Sequence, residues 1–235
     1  MRSIAFYIAF YTGSVICVLG ALLATPFSRR IVVVMTHAWS RWHRICARVL
    51  LGIHVRVEGK VPDTGCLVAL KHESFFEAID LPNLLDMPVP VAKAELFAIP
   101  GWGRVARSWG AISVDRTQGA GALRVMMREG RGFASEGRPL AIFPEGTRVP
   151  HGAMPPLQSG FAGLYKMLNV PVVPVAVYAG PLYHRRFKRA GEVVYRFFDP
   201  IEPGLPRAEI EARVHAAINA FNREGEGSVT APEIG

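Results

Sequence analysis

No charged residue occurs from Ile4 to Phe27, a run of about 24 residues, where a helix needs roughly 20 to cross a bilayer. The run predicts a helix that spans a membrane or dips into one. Small residues in Ala21-Leu-Leu-Ala24-Thr-Pro26 also fit a cleavable signal peptide, the competing reading. Arg2 on one side and Arg29 and Arg30 on the other leave no charge bias to orient a span, which suits a re-entrant or monotopic anchor. Ile31 to Leu51 reads as a second helix, apolar through Met35 and then carrying Arg41, Arg44 and Arg48 among Trp39, Trp42 and Ile45. Tryptophan beside arginine favours the headgroup layer. An ordinary amphipathic helix packed on a domain has the same pattern.

From Gly52 onward, short β-type runs alternate with helical ones, as in βαβ units. Ile53 to Val57 alternates apolar residues with His54 and Arg56 and predicts a half-exposed edge strand. Leu67 to Leu70 is wholly apolar and predicts a central one. Further strands are expected at Val89–Ala92, Gly110–Val114, Pro139–Phe143, Val170–Val177 and Val193–Phe198. Helices are expected after His72, over Glu95–Ser108 with a break at Pro100-Gly101, and over Gly119–Glu136, Leu157–Leu168 and Arg207–Phe221. Pro171 and Pro174 argue that their strand is an edge or carries a bulge. Together these predict an α/β fold: a mixed, largely parallel sheet flanked by helices, with an N-terminal membrane-associated helical segment. The expected division is residues 1–51 as anchoring helices, 52–223 as the α/β domain and 224–235 as a disordered tail.

The polar cluster Lys71-His72-Glu73-Ser74-Phe75-Phe76-Glu77 follows the central strand. Open α/β sheets bind ligands outside the carboxyl ends of their strands, so this histidine is placed for chemistry. Glu77 lies five positions on and shares no helix face with His72. The imidazole must therefore precede the first helical turn while the carboxylate reaches back from it, fixing the tautomer. That is a base with its orienter. The chain has no Gly-x-Ser-x-Gly elbow, so a substrate hydroxyl is the expected nucleophile and a serine hydrolase is excluded. Lys93 stands at another strand end. Pro144-Glu145-Gly146-Thr147-Arg148 predicts a tight turn exposing Glu145, Thr147 and Arg148 at the same edge.

Half of the 235 residues are hydrophobic and the net charge is +8, which fits a basic protein held at an anionic lipid surface. Nucleic acid has the charge in its favour, but there is no aromatic-basic module, and the apolar amino terminus favours lipid. Cys17, Cys46 and Cys66 lie in apolar surroundings without paired spacing and predict neither a disulfide nor a metal site. No cofactor is expected. His184, Arg185, Arg186, Lys188 and Arg189 form a basic run that suits an anionic surface or is simply solvated.

The His72–Glu77 block, Gly110-Ala-Ile-Ser-Val-Asp115-Arg116, Phe143-Pro-Glu-Gly-Thr-Arg148 and Val170-Pro-Val-Val-Pro-Val175 occur in that order. Over roughly Val57 to Asp199 they resemble the four motifs of the glycerolipid acyltransferase family, in particular its 1-acyl-sn-glycerol-3-phosphate acyltransferases. The family's first motif usually has Asp where this chain has Glu77, and many members carry a lysine where it has Gln158. The resemblance implies transfer of an acyl group from acyl-CoA or acyl carrier protein to the sn-2 hydroxyl of lysophosphatidic acid, making phosphatidic acid at the cytoplasmic face of the inner membrane. It implies His72 as base and Glu77 as orienter, with Lys93, Arg116, Glu145, Gly146, Thr147 and Arg148 binding the acceptor. Another lysolipid as acceptor, such as lyso-ornithine lipid, and an inactive membrane lipid-binding protein are the alternatives.

Overall fold

Four successive apolar residues leave a strand no polar face to turn toward water, so Leu67–Leu70 belongs between two covering layers. The computed structural model, which describes residues 1–63, 65–115 and 119–223, places it there. Among the described residues the sheet has seven strands: β1 (Ile53–Glu58), β2 (Leu67–Leu70), β3 (Val89–Lys93), β4 (Ile112–Val114), β5 (Leu140–Ile142), β6 (Val172–Tyr178) and β7 (Gly191–Phe197). Their order is β1-β7-β6-β2-β5-β3-β4, with β2 in the middle and β1 at an edge. Strands β6, β2, β5, β3 and β4 are mutually parallel. β7 runs antiparallel to β6, and β1 follows β7. The sheet is thus mixed and largely parallel, and the carboxyl ends of β6, β2, β5 and β3 reach one edge side by side.

Successive residues of a strand point to opposite faces, and β2 supplies both cores. Val68 and Leu70 pack with Val173, Val175 and Tyr195 on one face. Leu67 and Ala69 pack with Leu140, Tyr165 and Val172 on the other. Helices cover both faces: α1 (Arg2–Ala24), α2 (Arg29–Cys46), which continues through a π-helical turn at Ala47–Leu51, α3 (Phe76–Leu84), α4 (Ala94–Phe97), α5 (Trp102–Trp109), α6 (Ala120–Ser135), α7 (Gly160–Leu168), α8 (Gly180–Tyr183), α9 (Arg207–Ile218) and α10 (Ala220–Arg223). The single carboxy-terminal helix expected from the sequence is broken at Asn219, whose side chain is used elsewhere. The tail at 224–235 lies outside the described residues.

The proline reading of β6 needs correction. The strand is interior, between β7 and β2. Leu67 and Lys71 donate their N–H groups to Pro171 O and Val175 O, so odd-numbered β6 residues face β2. Pro174 therefore turns its missing donor toward β7, where the pairing ends: Phe198 N–H still donates to Pro174 O at 3.0 Å, but nothing is required in return. An interior strand tolerates proline where a ladder terminates.

α1 is long and apolar enough, by length and composition, to cross a bilayer. Its inner stripe, including Phe6 and Phe10, is buried in the same core as Leu70, Phe76 and Tyr195. Both of its ends are tied to the α/β domain. Near the amino end, Arg2 Nε donates to Leu50 O, Tyr7 donates to Arg186 O, and Ser3 Oγ accepts from Lys188 N–H. At the carboxyl end, Ala24 packs with Val32 and Trp109. Trp39 and Trp42 fasten α2 to it by donating to Ser14 Oγ and Ala9 O. The outer face is left bare, with Ile4, Ile8, Tyr11, Val15, Leu19 and Leu23 exposed at helical spacing.

Candidate active site

β2 ends at Leu70, and the next residues leave the sheet without joining α3. Ser74 and Glu77 cap the start of that helix reciprocally. Ser74 Oγ accepts from Phe76 N–H at 3.0 Å, and Glu77 Oε1 reaches back to accept from Glu73 N–H and Ser74 N–H, each at 2.6 Å. The same Oε1 stands 2.9 Å from His72 Nδ1. A carboxylate only accepts, so Nδ1 carries the proton and the lone pair of Nε2 is free. Phe143, arriving at the end of β5, stacks on the imidazole at 4.0 Å between centroids. Glu77 is fully buried, whereas the His72 side chain keeps 16% of its surface exposed, enough for a substrate to reach it.

The turn after β5 forms as its proline and glycine predict, with Gly146 in the left-handed region at φ +76° and its N–H on Phe143 O at 2.9 Å. Thr147 and Arg148 are exposed. The Arg148 guanidinium lies over the Phe75 ring at 3.9 Å. Among the described residues no acidic group pairs with it, so its hydrogen-bonding edge is available. Lys93, at the end of β3, is also exposed.

Glu145 does not share this exposure, contrary to the sequence reading. It is buried at 2%, because a buried ammonium requires its carboxylate: Lys71 Nζ donates to Glu145 Oε1 at 2.6 Å, and also to Asn219 Oδ1 and Ala153 O. The other oxygen, Oε2, accepts from His72 N–H at 3.3 Å. Lys71 thus binds the base-bearing loop, the Gly146 turn, the following loop and the end of α9 into one unit. Gln158, at the position where many family members have lysine, also holds the turn, its N–H bonding Pro144 O and its side-chain amide Glu145 O. Arg116 lies outside the described residues.

A second histidine–carboxylate pair escaped the sequence reading. Glu73, fully buried, accepts from His151 Nδ1 at 2.7 Å on Oε1 and from Ala179 and Gly180 N–H on Oε2. The two residues are 78 positions apart, and no local pattern links them. The described residues include no group of three or more His, Cys, Asp and Glu side chains able to hold a metal ion.

Residues 52–178 match the model of the Acyltransferase family. A 1-acyl-sn-glycerol-3-phosphate acyltransferase of Pseudomonas aeruginosa is 30% identical across the whole chain and 86% of its own length. The alpha form of the enzyme from Mus musculus is 29% identical over 71% of this chain and 61% of its own length. The crystal structure of the 1-acyl-sn-glycerophosphate acyltransferase of Thermotoga maritima superposes with a TM-score of 0.79 over 98% of this chain and all of that one, at 20% identity. With this fold, this ordered set of motifs and a relative matched along its full length, the chain belongs to the acyltransferase family of the 1-acyl-sn-glycerol-3-phosphate acyltransferases.

Proposed function

We propose that the protein transfers a fatty acyl group from a thioester, carried by coenzyme A or by acyl carrier protein, to the sn-2 hydroxyl of 1-acyl-sn-glycerol-3-phosphate. The observation that carries this reading is the His72–Glu77 contact of 2.9 Å, which leaves Nε2 as the basic nitrogen at the sheet edge. Nε2 takes the proton of the acceptor hydroxyl while the oxygen attacks the thioester carbonyl. Glu77 stabilises the imidazolium that forms. Collapse of the tetrahedral intermediate expels the thiolate, which recovers the proton from His72. The thioester is already activated, so no covalent enzyme intermediate is required. Arg148, whose planar fork has no ion pair among the described residues, holds the acceptor phosphate, and Lys93 and Arg116 add charge. Gly146 and Thr147 shape the turn that presents Arg148, and Glu145 sets the turn against the base-bearing loop.

The exposed stripe of α1 fits attachment to a membrane. Because both ends of α1 are tied to the α/β domain, through Tyr7 and Ser3 at one end and Ala24 against Trp109 at the other, a crossing would carry the domain into hydrocarbon. The helix lies in the interface instead. Phosphopantetheine thioesters are made in the cytoplasm, so we place the protein on the cytoplasmic face of the plasma membrane. The 2.9 Å contact supports the active reading over the inert lipid-binding alternative, since the longer Glu77 still reaches the imidazole. The test is an assay of the purified protein with labelled acyl-CoA and acyl carrier protein against lysophosphatidate, lyso-ornithine lipid and other lysolipids. Labelled phosphatidate is expected. Transfer only to a phosphate-free acceptor would replace the acceptor assignment.

A further inference from the structure

The loop after β5 crosses the sheet edge in a fixed order. Arg148, in the loop that follows β5, lies over Phe75; Val149 N–H bonds the His72 carbonyl at 2.7 Å; His151 then bonds Glu73, which also accepts from Ala179 and Gly180 just past β6. β5 and β6 flank β2 on opposite sides. Basic side chains therefore stand on both sides of the base: Lys93 at the end of β3 with Arg148 in the loop after β5, and a second set just past β6. That second set lines an open cavity of about 280 Å³ formed by Pro150, His151, Gly180, Pro181, His184 and Arg185.

We propose that this cavity is the subsite for a phosphate of the phosphopantetheine-type thioester donor. Its polar side chains are two imidazoles and a guanidinium. Glu73, the carboxylate behind His151, is fully buried with both oxygens engaged, so it offers the ligand no repelling surface. Glu73 also takes up the N–H groups of Ala179 and Gly180 that open α8, leaving recognition to the side chains. His151 is oriented from behind as His72 is. With Nδ1–H held by Glu73, Nε2 is the ring nitrogen left for a ligand of the cavity that His151 lines. His184 and Arg185 are exposed, and among the described residues the Arg185 guanidinium makes only a 3.4 Å bond to Pro181 O, so its fork remains available. A two-substrate transfer at one base needs the second substrate to enter from the side the first leaves empty, and the basic cavity lies on that side.

The inference rests on the thioester-donor reading above, and the full-length protein in detergent separates the two. The variants are Arg185→Ala, His184→Ala and His151→Asn, the last keeping an amide donor for buried Glu73. With saturating lysophosphatidate, each variant should raise KM for acyl-CoA or acyl carrier protein by about 10- to 100-fold, the worth of one charge-assisted bond. KM for a phosphate-free acyl-pantetheine and for the acceptor should stay unchanged. Loss with both phosphorylated donors names the phosphate shared by their pantetheine arms; loss with one alone names that donor as the source. Calorimetric titration with coenzyme A reads the subsite without turnover and should weaken in parallel. Wild-type protein that binds coenzyme A at this cavity but acylates no lysolipid would overturn the proposed function and leave the subsite standing. Unchanged donor KM and coenzyme A affinity in all three variants, or an equal loss with acyl-pantetheine, would overturn the subsite.

Discussion

Glu77 Oε1 accepts from the His72 ring and from two backbone amides, so a change at 77 acts on the base and on the helix start together. His72→Ala should lower kcat by about 10²- to 10⁴-fold with the fold intact, measured as turnover beside a thermal melt. Glu77→Gln keeps an oxygen for the amides but removes the charge opposite the imidazolium, and should cost about 10²-fold or more. Glu77→Asp should retain more activity while losing roughly 1 kcal/mol of cap. An inactive Asp variant beside an active Gln variant would mean the carboxylate serves the helix alone. Arg148→Lys replaces a two-pronged contact with a point charge and should reduce acceptor kcat/KM about 10- to 150-fold with donor kcat/KM unaffected, as separate kinetic series would read. The His72–Glu77 pair was legible because its five-residue interval is local and the strand before it is unmistakable. Lys71–Glu145 and Glu73–His151 were not, since chain separations of 74 and 78 leave no periodicity to read.

Secondary-structure elements were the more legible level, because alternation and helical spacing are local properties that burial enforces. β2, β3 and β7 fall within a residue or two of their expected bounds. The errors arose where long-range partners decide. Pro174 sits in an interior strand because β7 ends opposite it. α9 stops because Asn219 turns to Lys71. Lys71 is the test case at this scale. Lys71→Met leaves Glu145 as a buried carboxylate without its cation, and should cost about 3 to 5 kcal/mol, or a fall in Tm of roughly 10 °C. Adding Glu145→Leu removes the stranded charge and should recover much of that Tm. Activity should not return, since the His72 N–H has then lost its acceptor. If both variants melt with the wild type, the ion pair contributes nothing to holding the loops together; if both fall equally, the stranded charge is not the cause of the loss.

Across the whole molecule, stability depends on a histidine outside the proposed chemistry. His43 is fully buried between α1, α3 and Tyr183, its Nε2 bonded to the tyrosine hydroxyl at 2.8 Å and its ring against Phe10 and Phe76. Burial pushes its pKa down to about 3, and Lys188 and Arg44 add to the effect. Because the folded value lies below the unfolded one, near 6.5, the unfolded chain binds the extra proton between them. Stability is therefore lost as pH falls from about 6.5 toward 3, at up to roughly 1.4 kcal/mol per unit. Melts at pH 7, 6, 5 and 4 should show a progressive fall in Tm that His43→Gln reduces; a parallel pH profile in the variant would assign the acid sensitivity to other groups.

The two-faced packing of α1 has a thermodynamic consequence. One stripe of the helix completes the protein core, and the other meets whatever medium surrounds the molecule. That medium then acts as a ligand of the native state: lipid or detergent that solvates Ile8, Val15 and Leu19 better than water shifts the folding equilibrium by mass action. Tm should climb with the amount of lipid and level off once the stripe is covered. Replacing Ile8 and Val15 by Asn should flatten that climb. Trimming residues 1–27 to obtain a soluble fragment should instead expose the pocket left by Phe6 and Phe10 and yield an aggregating chain, because here the solvent boundary of the protein runs down the middle of a single helix.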